Sequence, residues 1–176
     1  MVVSNNETNI DHIKFLVNQA KDRSREYYHS EIGFNYRMTN IEAALGLAQM
    51  ERLGQLLEKK KKINEIYRKE LKDIGFVHFQ KEYKGAKSSW WLSCIVFEKE
   101  INLPNLQEKL KAKDIPTRRI FMPVIESPPY KIYKHTDCEN SYHIYKKGLC
   151  LPSSTLNSEE DIYYVCEAIK KIIQDE

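Results

Sequence analysis

Between Ile41 and Leu71 the apolar side chains recur mostly three and four residues apart: Ile41, Ala44, Leu45, Ala48, Leu53, Leu56, Leu57, Ile63, Ile66, Tyr67 and Leu71. That spacing is one face of a helix. Thr39 and Glu42 form a T-x-x-E capping box directly ahead of it, and Gly75 is the first residue suited to end it. The pattern predicts one helix of about 34 residues, roughly 50 Å long at 1.5 Å per residue. Helices average about 12 residues, so one this long bridges two bodies or pairs with another long helix.

On either side the pattern is shorter. Thr8 with Asp11 resembles a cap, and Ile10, Phe15, Leu16 and Ala20 predict a helix over 9–22. Residues 23–38 are charged, aromatic and aperiodic, which predicts a loop. After Gly75 the elements shorten. Phe76–Phe79 alternates weakly, and Trp90–Phe97 is rich in aromatic and β-branched residues, the best strand pattern in the chain. Pro104 suits the first turn of a helix running to Lys113, and 115–121 reads as extended. Pro123, Pro128 and Pro129 impose a loop; a helix over 138–147 can stop at Gly148. Ser158 and Asp161 then cap a last helix that runs to Gln174. Strands alternating with helices predict an α/β fold whose C-terminal part is a small α+β domain. The expected division is 1–40, then a connecting helix over 41–74, then a small domain over 75–176.

Composition narrows the function classes. With 41% hydrophobic and 30% charged residues over 176 positions, the chain is globular and long enough for one domain plus an appendage. A net charge of +3 does not call for a polyanionic partner. The run Lys59–Lys62 lies between Glu58 and Glu65 with no aromatic residues interleaved, and consecutive helical positions splay around the axis. It reads as solvated helix surface, not as a nucleic-acid site. The four cysteines are widely spaced, so neither a disulfide framework nor a zinc site is expected. His135, Cys138 and His143 are the only conceivable ligand set, and surface histidines beside a free thiol explain them better. Met-Val-Val is no signal-peptide core, and no apolar run nears the ~20 residues of a membrane helix. A soluble, cytoplasmic protein is the expectation.

The candidate chemistry sits just before the capping box. Asn35, Tyr36 and Arg37 offer an amide, a phenol and a guanidinium fork at a helix N-terminus, donors suited to an anion such as phosphate. Taken alone, a local turn at Asn35 and a surface contact by Arg37 explain these residues more readily.

Longer stretches change that balance. Residues 25–49 read REYYHSEIGFNYRMTNIEAALGLAQ, residues 114–130 read DIPTRRIFMPVIESPPY, residues 148–154 read GLCLPSS, and the chain closes on SEEDIYYVCEAIKKII. In content and order these blocks resemble the DegT/DnrJ/EryC1/StrS family of pyridoxal-phosphate (PLP) nucleotide-sugar aminotransferases. The resemblance implies the C-terminal part of a fold type I PLP-dependent transferase. It implies that Asn35 bonds the cofactor phosphate in a neighbouring subunit's site, with His29, Tyr36 and Arg37 near that shared site. Trp91, Arg118 and the 118–130 loop would face the sugar nucleotide from the small domain. A homodimer is implied, with glutamate as typical amino donor and a keto-sugar on a nucleotide as acceptor, in amino-sugar and cell-surface polysaccharide biosynthesis. One departure is Ile125, which stands where many members carry histidine.

The family's Schiff-base lysine, set in a Ser/Phe-rich segment ahead of a glycine-rich stretch, has no counterpart here. Residues 1–5 resemble the family's residues directly after those glycines. No catalytic residue and no metal ligand is therefore assigned, and the chain alone is expected neither to bind PLP nor to transaminate. A complementary N-terminal half is the implied partner. The alternative is a non-catalytic, self-associating domain from a shortened reading frame. Either way, Val2, Val3, Phe15 and Leu16 lack burial partners, so 1–40 is expected to be mobile or covered in a dimer, with 75–176 as the ordered core.

Overall fold

A computed structural model describes residues 2–22, 24–25, 27–133 and 136–174. The chain divides after Arg52 into two units.

The first unit holds α1 (Glu7–Leu16) and α2 (Asn40–Glu51). α1 begins and ends earlier than its apolar spacing predicts. Asn6, not Thr8, is the N-cap, accepting from the Asn9 amide at 3.1 Å. Beyond Val17 the backbone leaves the helix, because Gln19 and Ala20 take left-handed φ values of 64° and 49°. That turn frees residues 18–20 to pair with 33–35. Asn18 bridges Asn35, Phe34 donates to the Leu16 carbonyl at 2.8 Å, and Gln19 donates to that of Phe34 at 3.1 Å. Gly33 is required by this approach, since a Cβ there would lie 2.3 Å from the Ala20 nitrogen. The segment expected to be a plain loop is thus partly extended and paired.

α2 starts where the capping box predicts. Glu42 donates its amide to the Thr39 hydroxyl, and the Thr39 amide bonds the Glu42 carboxylate at 2.7 Å, which holds that carboxyl below its usual pKa. Among the described residues up to Arg52, Ala20 is the single buried apolar side chain; Val2, Val3, Ile41 and Leu45 are exposed.

The predicted single long helix is interrupted at Arg52, whose φ of −100° and ψ of 0° leave helical geometry. Gly54 lies two residues on, where its lack of a side chain weakens helix by about 1 kcal/mol relative to alanine. No residue of α2 is buried, so no packing compensates.

The second unit begins with α3 (Leu53–Leu71). It continues through β1 (Val77–Phe79), β2 (Ser93–Phe97), α4 (Leu103–Lys111), β3 (Arg118–Arg119), α5 (Glu139–Lys147), β4 (Gly148–Leu151) and α6 (Glu159–Gln174). The strands form an antiparallel sheet in the order β1-β2-β4-β3. β2 buries alternate residues, as a strand packed on one side should. Ile95 and Phe97 join Leu149 and Leu151 of β4 in a core filled by Ile63, Ile66, Tyr67 and Leu71 of α3, Leu106 and Leu110 of α4, and Ile162, Val165, Ile169 and Ile172 of α6. α3 therefore packs its C-terminal half into the same core as the sheet.

Local signals explain the flanking helices. Asn102 caps α4 by accepting from Asn105 at 3.1 Å, with Pro104 in the first turn. Ser158 and Asp161 exchange bonds of 2.8 and 3.1 Å at the start of α6. β4 is the element sequence reading misses. Gly148–Leu151 reads as a helix end and turn, yet all four residues are buried strand. A Cβ on Gly148 would lie 2.4 Å from the Ile144 carbonyl, so only glycine lets α5 meet the sheet this closely. Among the described residues no helix is long and apolar enough to cross a membrane.

Candidate functional site

In the first unit the 33–37 segment is extended, so successive side chains alternate in direction. Phe34 and Tyr36 stack on one side with centroids 5.1 Å apart. Asn35 points the other way, exposed, and its amide has no hydrogen-bond partner among the described residues. Arg37 is engaged locally, donating to the Asn18 side chain at 3.0 Å. The His29 Nδ1 lies 2.7 Å from the Gln19 carbonyl, which fixes Nδ1 as the protonated nitrogen and leaves Nε2 outward. The unit thus presents a free amide, a histidine nitrogen and a phenol from one short paired segment.

In the second unit, Trp91 and Arg118 come together in an open cleft of about 390 Å³ with Lys60, Cys150, Ser153 and Ser154. Trp91 precedes β2, and its ring stacks on Phe121, just past β3, at 6.2 Å. Arg118 lies on the edge strand β3 opposite Cys150 of β4, with its guanidinium exposed. The geometry offers a flat aromatic wall beside a guanidinium fork, a pairing suited to a ring carrying an anionic group.

Lys60 organises this cleft. Its ammonium donates to the Trp91 carbonyl at 2.7 Å and to the Ser153 carbonyl, joining α3 to both strand ends. Burial pulls its pKa below the usual lysine range. The lysine run is therefore not uniformly solvated. Lys61 and Lys62 reach outward to Glu65 and Glu159, each at 4.0 Å, while Lys60 points inward. The signal is present in the spacing: Lys60 stands three, four and seven residues before Ile63, Asn64 and Tyr67, on the buried face. Phe121 falls in the 118–130 loop expected to face the sugar nucleotide, whereas Cys150 and Ser153 escape sequence reasoning as site residues, because β4 and the turn after it place them.

Trp90 takes a left-handed φ of 48°, an unusual conformation for an aromatic residue. Its ring lies under the Arg68 guanidinium at 5.2 Å, and the next residue, Trp91, lines the cleft. A larger groove of about 820 Å³ runs along Leu57, Asn64, Arg68, Glu82 and Trp90, but its charges are mixed and it contains none of the predicted site residues. Among the described residues no three His, Cys, Asp or Glu side chains converge as metal ligands; His135 lies outside them, and Cys138 contacts the Thr136 carbonyl at 3.2 Å.

Lys60→Met tests the clamp. The Ser153 carbonyl would lose its donor, whereas the Trp91 carbonyl keeps the weaker Ser153 hydroxyl at 3.4 Å. We expect the second unit to lose about 1–3 kcal/mol, read from the urea midpoint.

A model of the DegT/DnrJ/EryC1/StrS aminotransferase family matches residues 1–170. GDP-perosamine synthase of Escherichia coli O157:H7 is 36% identical over 99% of this chain and 47% of its own length. GDP-perosamine synthase of Vibrio cholerae is 34% identical over 97% of the chain and 47% of its own length. The chain spans about half the length of the curated relatives it matches. Among solved structures, a DegT DnrJ EryC1 StrS aminotransferase from Brucella abortus superposes with a TM-score of 0.73 at 25% identity, covering 96% of this chain and 44% of that one. PseC of Helicobacter pylori, an aminotransferase involved in the biosynthesis of pseudoaminic acid, gives 0.79 at 18% identity, over 99% and 48%. The mixed α/β fold is that of the matching part of fold type I PLP-dependent aminotransferases.

Proposed function

This chain belongs to the DegT/DnrJ/EryC1/StrS aminotransferase family, and from that premise we propose that its residues form the C-terminal portion of a PLP-dependent enzyme that moves an amino group, typically from glutamate, to a keto-sugar carried on a nucleotide. The observation that carries the reading is the convergence of Trp91 and Arg118, from separate stretches of sequence, on one cleft. Arg118 binds a phosphate of the nucleotide, and the Trp91–Phe121 wall packs against the sugar ring. Ile125 offers no polar contact, so hydroxyl recognition falls to other groups.

The residues present fit one contact to the cofactor and not its whole site. Asn35 is free to donate to its phosphate, in a neighbouring subunit. The lysine at the cleft, Lys60, is committed to two carbonyls and is no Schiff-base anchor. When bound, PLP supplies the electron sink for amino transfer; this chain positions the acceptor and holds one phosphate oxygen.

The test is a chimera joining the first half of the E. coli GDP-perosamine synthase to this chain. We expect a folded dimer with cofactor absorbance and amino transfer to a nucleotide-linked keto-sugar, read by product mass. Asn35→Ala in the chimera should weaken PLP binding roughly ten- to a hundredfold, the worth of one hydrogen bond to a charged group. Cofactor colour in the isolated chain would overturn the reading, as would a folded, PLP-loaded chimera that transfers no amino group.

The exposed Ile41, Leu45 and Met38 favour a second reading, a non-catalytic self-associating domain. Sedimentation of the isolated chain as a tight dimer, with a chimera that never takes up cofactor, would favour it over the first.

A further inference from the structure

Outside the groups assigned to amino transfer, the cleft is lined by Cys150, whose direct strand partner is a second cysteine, and no step of that reaction uses either. Cys94 of β2 and Cys150 of β4 are direct cross-strand partners, with sulfurs 3.6 Å apart. Both side chains leave the sheet on the same side, because directly opposed residues share a face. Opposed Cβ atoms in such a pair lie about 4.5–5.5 Å apart, close to the spacing a disulfide spans. Rotation about the side-chain bonds with a small approach of the strands therefore closes the bond, and no other element must move.

The remaining cysteines are placed differently. Cys166 lies in the helical core, where burial pushes its thiol up to about 12 and quiets it. Cys138 lies outside the sheet, against the Thr136 carbonyl. Cys150 alone lines the cleft, beside Arg118. The Cys94 S–H donates to it, and with the guanidinium this holds the Cys150 thiol near 7 while Cys94 is pushed up as the donor. The pair thus shares one proton; Cys150 sits in buried strand at the cleft wall, and Cys94 is the more exposed of the two.

We propose that Cys94 and Cys150 are a dithiol that closes to an intramolecular disulfide by exchange with a small-molecule disulfide entering the cleft. One sulfur of the pair, as thiolate, attacks one sulfur of the reagent, whose S–S bond breaks and releases a thiolate that takes a proton. The other then gives up its proton and attacks the protein sulfur of the mixed disulfide, and a second small thiol leaves. Two protein thiols are oxidised and one reagent disulfide is reduced to two thiols, so electrons and protons balance. The product covalently ties β2 to β4 beneath Trp91 and Arg118 and removes the thiolate next to the guanidinium. The inference rests on the strand pairing and on access through the open cleft, and stands whether or not the cleft takes a nucleotide sugar.

The full chain, equilibrated in mixtures of oxidised and reduced glutathione, acid-trapped and then alkylated in denaturant, is the test. We expect intact mass to show two alkylated cysteines where the reduced chain shows four, at a ratio independent of protein concentration, and peptide mapping to find the residue 94–150 cross-link. Cys94→Ser and Cys150→Ser should each abolish that cross-link and leave at most a single glutathione on the remaining cysteine of the pair. Four alkylatable cysteines at the most oxidising ratio would overturn the proposal, as would a cross-link through Cys138 or Cys166. The wild-type map decides the matter even if a variant fails to fold.

Discussion

Phe97→Ala is expected to remove about 3–5 kcal/mol from the stability of the second unit. Phe97 is fully buried at the end of β2, opposite Val77 of β1, and packs in the cluster that also holds Tyr67, Leu106 and Ile169. Truncation loses the transfer energy of the ring and leaves a cavity. The sheet cannot collapse into that cavity without shifting a strand that is paired on both sides. Since domains carry only about 5–15 kcal/mol in total, the variant should unfold at a much lower urea midpoint or fail to fold at all. Phe97→Leu keeps most of the volume and should recover more than half of the loss. Leu45→Ala in α2 is the contrasting case: Leu45 is 64% exposed, so the change should stay within about 0.5 kcal/mol. A cost for Leu45→Ala equal to that for Phe97→Ala would mean that the burial pattern is wrong.

Raising the pH should destabilise the same unit, chiefly through Cys166. Burial pushes its thiol from the usual 9 up to about 12, with the Glu70 carboxylate adding to the effect and Lys170 opposing it. A group whose folded pKa is raised stabilises fully below its unfolded pKa and loses that contribution as the pH climbs through the folded one. Here the loss begins near pH 9 and is complete above about 12, where it amounts to roughly 4 kcal/mol at 1.36 kcal/mol per pKa unit. Tyr67 adds to the loss above about pH 10: burial, then the neighbouring Cys166 charge, raises its phenol, which donates to the Pro152 carbonyl at 2.7 Å. Urea midpoints measured from pH 8 to 11 should fall for the wild type and fall clearly less for Cys166→Ala. The Cys94–Cys150 pair titrates in both proteins and cancels in the comparison. Parallel curves for the two proteins would refute the assignment.

How much of this is legible in the sequence depends on whether a feature is local. The two capping arrangements at Thr39 and Ser158 are set by residues three apart, and both are present as read. The start of α1 differs from its reading because Asn6 outcompetes Thr8 as a cap, a difference spacing does not display. Its end differs because the 18–20 and 33–35 segments pair, and pairing across a loop leaves no periodic trace. β4 is invisible for a related reason. A four-residue strand buried on both faces shows neither alternation nor helical spacing. The site divides along the same line. Asn35, Trp91, Arg118 and the loop that holds Phe121 come from a resemblance spread over most of the chain, whereas Cys150 and Ser153 emerge as site residues only once β4 sits between β2 and β3.

The lysine run carries a consequence beyond packing. Lys61 and Lys62 hold carboxylates at arm's length in water, so salt weakens both contacts. Lys60 holds two carbonyl dipoles from a partly buried position, where salt screens the contacts less. Four identical letters in a row are therefore three solvated amines and one partly buried, hydrogen-bonded amine. A reagent that acylates free amines meets a chemically graded surface on a stretch of sequence with no gradation at all.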